Sequence, residues 1–219
     1  MALNQDGNKV LLPRNAHRSF YGGLVLSGAV PVYIPVQVES ELGIALAVTA
    51  EDVNRLLISN ADVNNIFISS PSYYGTGCDI AGIAAITSRH NKLLLVDEAH
   101  GAHFAFNPFY PRPALESGAD AAVNGLHKTL PVLNQGACLH LSARLAGDLR
   151  IEKTLSLLTT TSPSYPILAS IELARWFMEK NGESLLEKSY QLSREYRQKI
   201  NAITGLSCCE QELQAVNGV

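Results

Sequence analysis

The sequence predicts an α/β fold in which a mainly parallel sheet is sandwiched between helices. Two observations carry this prediction. Short apolar, β-rich runs alternate with segments of helical character from the start of the chain to about residue 141. Polar residues of chemical use fall at the carboxyl ends of those runs, the edge at which open α/β sheets bind ligands.

Each element has a local reason. Lys9-Val10-Leu11-Leu12 reads as a short buried strand, and 16–27 as a helix closing near Gly28. The stretch 30–38 is β-rich, with Pro31 and Pro35 suiting a strand entrance or a sheet edge. Thr49, with an acidic Asp52 three positions on, marks a helix start, and that helix runs to about Ser59. Asn65-Ile66-Phe67-Ile68-Ser69 is the next strand, Asp79 caps a helix through Arg89, and 93–96 is a strand again. A helix over 113–117 leads to strands at 121–124 and 136–141. From Gly147 onward the character is helical, with helices expected over 147–158, 166–180 and 183–202, interrupted by Thr159-Thr160-Thr161-Ser162-Pro163-Ser164. Residues 1–180 are expected to form a major domain and 181–219 the start of a smaller helical one. The tail Ala215-Val216-Asn217-Gly218-Val219 carries no clear finishing element.

At 219 residues the chain is long enough to bury a large core, and its 47% apolar content is that of a globular protein. A net charge of -3 and scattered basic residues give no electrostatic reason to expect nucleic acid or an anionic membrane as partner. The cysteines at 78, 138, 208 and 209 form no CxxC pair, so a disulfide framework or a structural zinc site is not expected. The opening Met1-Ala2-Leu3-Asn4-Gln5-Asp6 lacks the pattern of a signal peptide, and the apolar stretch 30–38 is broken by its prolines. The expectation is a cytoplasmic protein with reduced thiols.

Four polar groups are expected at strand ends: Asn15-Ala16-His17, Ser69-Ser70, Asp97 and His127-Lys128. Any one alone is ordinary, since a lone strand-end aspartate is usually a cap and a lone lysine a solvated charge. Together, an amine and a carboxylate on one sheet edge suit pyridoxal 5'-phosphate (PLP): Lys128 for a Schiff base and Asp97 to hold the pyridine nitrogen protonated. His17 is flat enough to stack on the ring, and His127 is placed to move a proton or to contact phosphate.

The segments Leu12-Pro13-Arg14-Asn15-Ala16-His17-Arg18-Ser19, Ser70-Pro71-Ser72-Tyr73-Tyr74-Gly75, Val96-Asp97-Glu98-Ala99-His100-Gly101 and His127-Lys128-Thr129-Leu130-Pro131 give a more specific reading. In this order they resemble the major domain of the bacterial ornithine/lysine/arginine decarboxylases, PLP enzymes of the aspartate-aminotransferase fold. The resemblance covers about residues 3 to 180. It implies that Lys128 carries the cofactor and that Asp97 binds the pyridine nitrogen. His17 and Ala99 would take opposite ring faces, His100 would reach the ring hydroxyl, and His127 would lie by the phosphate and the reacting carbon. The implied reaction is α-decarboxylation of a basic amino acid by a homodimer or higher oligomer. The family's serine three residues before the lysine is Gly125 here, and the phosphate-holding loop would precede Lys9. The resemblance therefore implies an internal piece of a larger enzyme.

Four other readings bear on the same residues. Asp97-Glu98-Ala99-His100 also spells a helicase-type motif, but no GxxxxGK[ST] phosphate loop accompanies it. His100 and His103 are spaced for metal without the further ligands a site requires. A different PLP reaction on the same fold (aminotransferase, aldolase or acyl-CoA condensation) is separated from decarboxylation only by the Asn15-Ala16-His17 and His127-to-Pro131 segments, and a catalytically inactive remnant is the alternative from another class.

Overall fold

The computed structural model describes residues 1–40 and 42–208. The expectations for Cys209 and for the tail at 215–219 lie outside the described residues. The first strand, β1 (Lys9–Pro13), is buried over its last four positions. Helix α1 (Arg18–Ser27) follows, with His17 as its cap and Gly28 closing it at φ 69°. That left-handed conformation is open to glycine without strain, so the chain reverses cleanly there.

Strand β2 (Val30–Ile34) pairs parallel to β1 at the sheet edge, with Pro31 opposite Val10. An edge tolerates the missing proline donor, as expected. The strand does not continue to residue 38. Pro35 has no N–H to extend the ladder, and the chain instead forms a small hairpin, β3 (Val38–Glu39) with β4 (Ile44–Ala45). Two-residue strands leave no alternation to detect, so the sequence did not announce this hairpin.

Helix α2 (Ala50–Ser59) starts as the sequence indicated, with the Thr49 hydroxyl oxygen accepting from the Asp52 amide at 3.1 Å. Strand β5 (Val63–Ser69), helix α3 (Ile80–Arg89) capped by Asp79, and strand β6 (Leu93–Asp97) complete the expected alternation. The helix expected over 113–117 is a single hydrogen-bonded turn, Ser117 N donating to the Pro113 carbonyl, and Gly118 at φ 98° stops it. Then come β7 (Ala121–Asn124), the one-turn α4 (Leu126–Thr129), β8 (Cys138–Leu141) and α5 (Leu149–Leu158).

The six strands of the main sheet lie in the order β2-β1-β5-β6-β7-β8, parallel throughout except β8, which runs antiparallel to β7. On one face Leu11, Ile66, Ile68, Leu94 and Val96 pack against α2 and α3 through Val53, Leu57, Ile80 and Ile83. On the other, Leu95 and Ala121 meet Ile151 of α5, while Phe67 takes the edge of Phe20 from α1 with centroids 5.1 Å apart. Ile66, fully buried on a central strand, is a sensitive point of the first layer. Ile66→Ala is expected to lower unfolding free energy by about 2–5 kcal/mol, because lost burial and a residual cavity add; urea titration at constant m-value measures it.

The largest difference from expectation lies at the end of the described chain. The two helices expected over 166–180 and 183–202 are one continuous helix, α6 (Tyr165–Asn201). Asn181-Gly182 looked like a break. Instead Gly182 is buried with Ala174 and Met178 on one stripe, and a side chain there would come within 2.9 Å of Phe106. The glycine serves close packing, and Asn107 and Tyr110 fasten the same stretch by donating to the Glu183 and Leu186 carbonyls. Among the described residues no helix is long and apolar enough to cross a membrane.

Candidate active site

Because β1, β5, β6 and β7 are parallel, their carboxyl ends share one edge, and the four polar groups predicted for strand ends stand along it. A cavity of about 490 Å³ opens between the sheet, α1 and α5. His17, Asp97, Ala99 and Lys128 line it, with Phe20 and Val123 among its apolar walls.

Alternation along β6 puts Leu93, Leu95 and Asp97 on the same face, so the residue that ends the strand inherits the cavity side. One Asp97 carboxylate oxygen accepts from the Ala99 amide at 3.1 Å, which orients the group at the mouth of the loop. Lys128 stands on α4, whose first turn is closed by its amide donating to the Gly125 carbonyl at 2.9 Å. Its aliphatic chain passes close over Gly125: a Cβ there would lie 3.1 Å from Lys128 Cδ. The amine ends 3.0 Å from His100 Nε2. His100 is held below the usual imidazole range, first by burial and then by the Lys128 charge, with Asp97 pulling the other way. A neutral ring offers its Nε2 lone pair to the ammonium, which puts the imidazole proton on Nδ1.

His17 caps α1 and also faces the cavity. Its Nδ1 accepts from the Ser19 amide as a helix cap, and its ring also lines the cavity. His127 is different. Its Nδ1 lies 2.8 Å from the Gly136 carbonyl, so Nδ1–H donates there, and the residue is not part of the cavity lining. It braces the turn that carries Lys128. His100 belongs to the wall of a second, more polar cavity of about 940 Å³, lined also by Ser70, Tyr73, His103 and Arg112. The Tyr73 ring meets His100 edge on at 6.2 Å between centroids.

Some contributors had no usable sequence signal. Arg112 lies on the irregular segment after β6, where no periodicity ties a residue to the edge; His103 shares that segment, legible only through its spacing from His100. Glu98 enters the sequence reading only as part of the Asp97-Glu98-Ala99-His100 motif, yet it is 5% exposed and bonded to Asn124.

The fold is shared with solved PLP-type enzymes. Lysine decarboxylase A from Pseudomonas aeruginosa matches 95% of the chain and 31% of its own with a TM-score of 0.80 at 22% identity. A PLP-bound putative aminotransferase from Clostridium difficile 630 matches 91% of the chain and 51% of its own, with a TM-score of 0.66 at 15% identity. At that level of identity the likeness defines an α/β class in which decarboxylases and aminotransferases alike are found.

The chain belongs to the Orn/Lys/Arg decarboxylase family, matching its major domain over residues 1–217. It is similar to the arginine decarboxylase of Bacillus subtilis (strain 168), 36% identical over 213 residues, which is 97% of this chain and 44% of that protein. The constitutive lysine decarboxylase of Escherichia coli (strain K12) is 25% identical over 211 residues, 90% of this chain and 29% of that protein. The chain thus spans less than half the length of these relatives.

Proposed function

We propose that the chain forms the PLP-binding part of an enzyme that removes the α-carboxylate of arginine, lysine or ornithine and releases the corresponding amine. The observation that carries this reading is that Lys128 and Asp97 line one cavity, in a chain of the Orn/Lys/Arg decarboxylase family. The residues present fit the reactive end of PLP: an amine for the aldehyde carbon, an anion for the ring nitrogen, and His17 and Ala99 for the two ring faces. When bound, the cofactor supplies an electron sink for the pair left behind by departing carbon dioxide.

The chain's own groups take definite parts in this reading. Asp97 sets its negative charge beside the ring nitrogen and keeps that nitrogen protonated. Lys128 would hold the cofactor, and its Nζ would deliver a proton to the substrate carbon that loses its carboxylate. His100 steers Nζ by accepting its hydrogen bond at 3.0 Å. With Nδ1 committed to Gly136, His127 serves the lysine turn, and proton delivery is assigned to Lys128. Phe20, Phe67, Leu95 and Val123 keep the inner wall apolar and exclude water. The assembly is proposed as a cytoplasmic homodimer or larger oligomer, with residues 159–165 contributing to its interface or to the substrate channel. The proposed division into a PLP-binding domain over 1–180 and the start of a helical domain from 181 has its boundary inside α6.

The test is isotopic. Purified chain is incubated with PLP and carboxyl-labelled arginine, lysine and ornithine, arginine first because the arginine decarboxylase relative is 36% identical against 25% for the lysine enzyme. Labelled carbon dioxide and the matching amine are the expected products. Transfer of the amino group to a 2-oxo acid without carbon dioxide shifts the assignment to an aminotransferase. Neither product, with no absorbance band near roughly 420 nm on adding PLP, sinks the reading in favour of an inactive remnant.

A further inference from the structure

Glu98 is a buried carboxylate to which the reaction outlined above gives no part. It stands between Asp97 and Ala99, 5% exposed, and burial pushes its pKa up. Its partners in these contacts are hydrogen-bond donors. Oε1 accepts from the Ala114 amide at 2.8 Å, and Oε2 accepts from Asn124 Nδ2 at 3.1 Å. The same Asn124 nitrogen donates to the Glu98 carbonyl at 2.8 Å, and the Glu98 amide donates to the Val123 carbonyl at 3.0 Å. A donor at each carboxylate oxygen matches the ionised form, which has no hydrogen of its own to place.

The location of this group is what gives it meaning. The β6–β7 ladder ends at Asp97 opposite Val123. Beyond that pair, one strand leads through Glu98 to Ala99 and His100, the other through Asn124 to Gly125 and the Lys128 turn. The two departing segments stay in contact: a Cβ on Gly125 would lie 3.1 Å from the Ala99 carbonyl oxygen. Glu98 and Asn124, both nearly fully buried, are the cross-link at the point of departure.

We propose that Glu98 and Asn124 are positioning residues: a clamp between the ends of β6 and β7 that fixes the Lys128 amine relative to the Asp97 carboxylate and the His100 ring. The proposal rests on the reading of Lys128 and Asp97 as cofactor ligands, and deepens it. A buried carboxylate is a costly means of fastening two loops, since an apolar pair of equal volume serves stability at least as well. What the hydrogen-bonded pair adds is direction, because each bond tolerates little displacement before it weakens.

The decisive variant is Asn124→Leu, which keeps the branched outline at a somewhat larger volume, removes the donor and leaves the formal charge unchanged. The control is Val53→Ala, in the same core but outside the Glu98–Asn124 contacts, which lowers Tm without touching the site. Two properties of the purified chain are read. The first needs no cofactor: the titration midpoint of the His100 ring, followed by NMR. Burial lowers it most and Lys128 next, Asp97 raises it and His17 lowers it a little, so a lysine released from its place lets the midpoint rise. The second is the affinity for PLP, followed at the band near roughly 420 nm. It is expected to fall about tenfold or more, the usual scale for loss of an outer-shell support.

Asn124→Leu is expected to change both properties and Val53→Ala neither. If Asn124→Leu melts cooperatively and leaves either property at the parental value, the clamp is not a positioning device; the same changes in Val53→Ala reduce it to general stability. Should Asn124→Leu not fold, Glu98→Gln takes its place. It sets an amide against one of the two donors, and is read by loss of the nuclear Overhauser contact between the His100 ring and the Lys128 ε-methylene. Should the parent chain show no PLP band, the cofactor reading falls while the His100 measurements still decide the clamp.

Discussion

Lys128→Ala is expected to abolish the attachment of PLP and to lower carbon dioxide release by a factor on the order of 10⁴ or more. Lys128 is the lysine lining the cavity among the described residues, and its amine stands 3.0 Å from His100 at the strand-end edge. Removing it takes away both the group proposed to hold the cofactor and the group proposed to protonate the product carbon. Lys128→Arg separates charge from nucleophilicity: it keeps the cation beside His100 and is expected to be as inactive as alanine. The measurement is borohydride reduction with PLP followed by peptide mapping, which should place the label on Lys128 in the parent and nowhere on that peptide in either variant. Release of carbon dioxide within tenfold of the parent refutes the assignment.

Asp97→Asn is the second large effect. The amide keeps the size of the side chain and an oxygen for the Ala99 amide that Asp97 now accepts at 3.1 Å, so the loop geometry should survive. The negative charge does not, and an uncharged partner no longer favours a protonated ring nitrogen. Turnover is expected to drop by about 10² to 10³, the range found when one preorganised electrostatic stabiliser is lost. The band near roughly 420 nm should persist because Lys128 is intact. A lower kcat with a retained band distinguishes loss of the electron sink from loss of binding. A variant with unchanged kcat removes Asp97 from the reaction.

These expectations trace to residues whose place at the sheet edge is legible in the sequence for one reason. A strand that is buried on both faces is a short apolar run, and the first polar residue after it must sit at the sheet edge. That rule delivered Asp97 after Leu93-Leu94-Leu95-Val96 and brought His17 and Lys128 to the same cavity wall. Caps were legible for the same kind of reason: Thr49, Asp79 and Gly28 each act through a short-range contact set by local spacing. The rule fails where long-range packing decides. His127 was placed by adjacency to Lys128, yet successive residues on a helical turn point about 100° apart, and the ring went to the Gly136 carbonyl. The sequence ends one helix at 180 and starts another at 183 because the partner of Gly182, Phe106, is remote in sequence. Glu98 was read as part of a motif, with no hint that it is buried, since its donors come from Ala114 and Asn124.

The continuity of α6 has a mechanical consequence. At about 1.5 Å per residue, its 37 residues make a rod of roughly 55 Å. It is pinned near its middle, where Gly182 sits on Phe106 and the Glu183 and Leu186 carbonyls take hydrogen bonds from Asn107 and Tyr110. Having no proline beyond its first turn, the rod transmits torque instead of absorbing it. Whatever grips the far end near Asn201 therefore holds a lever whose fulcrum is the segment that follows Asp97, His100 and His103 in the chain.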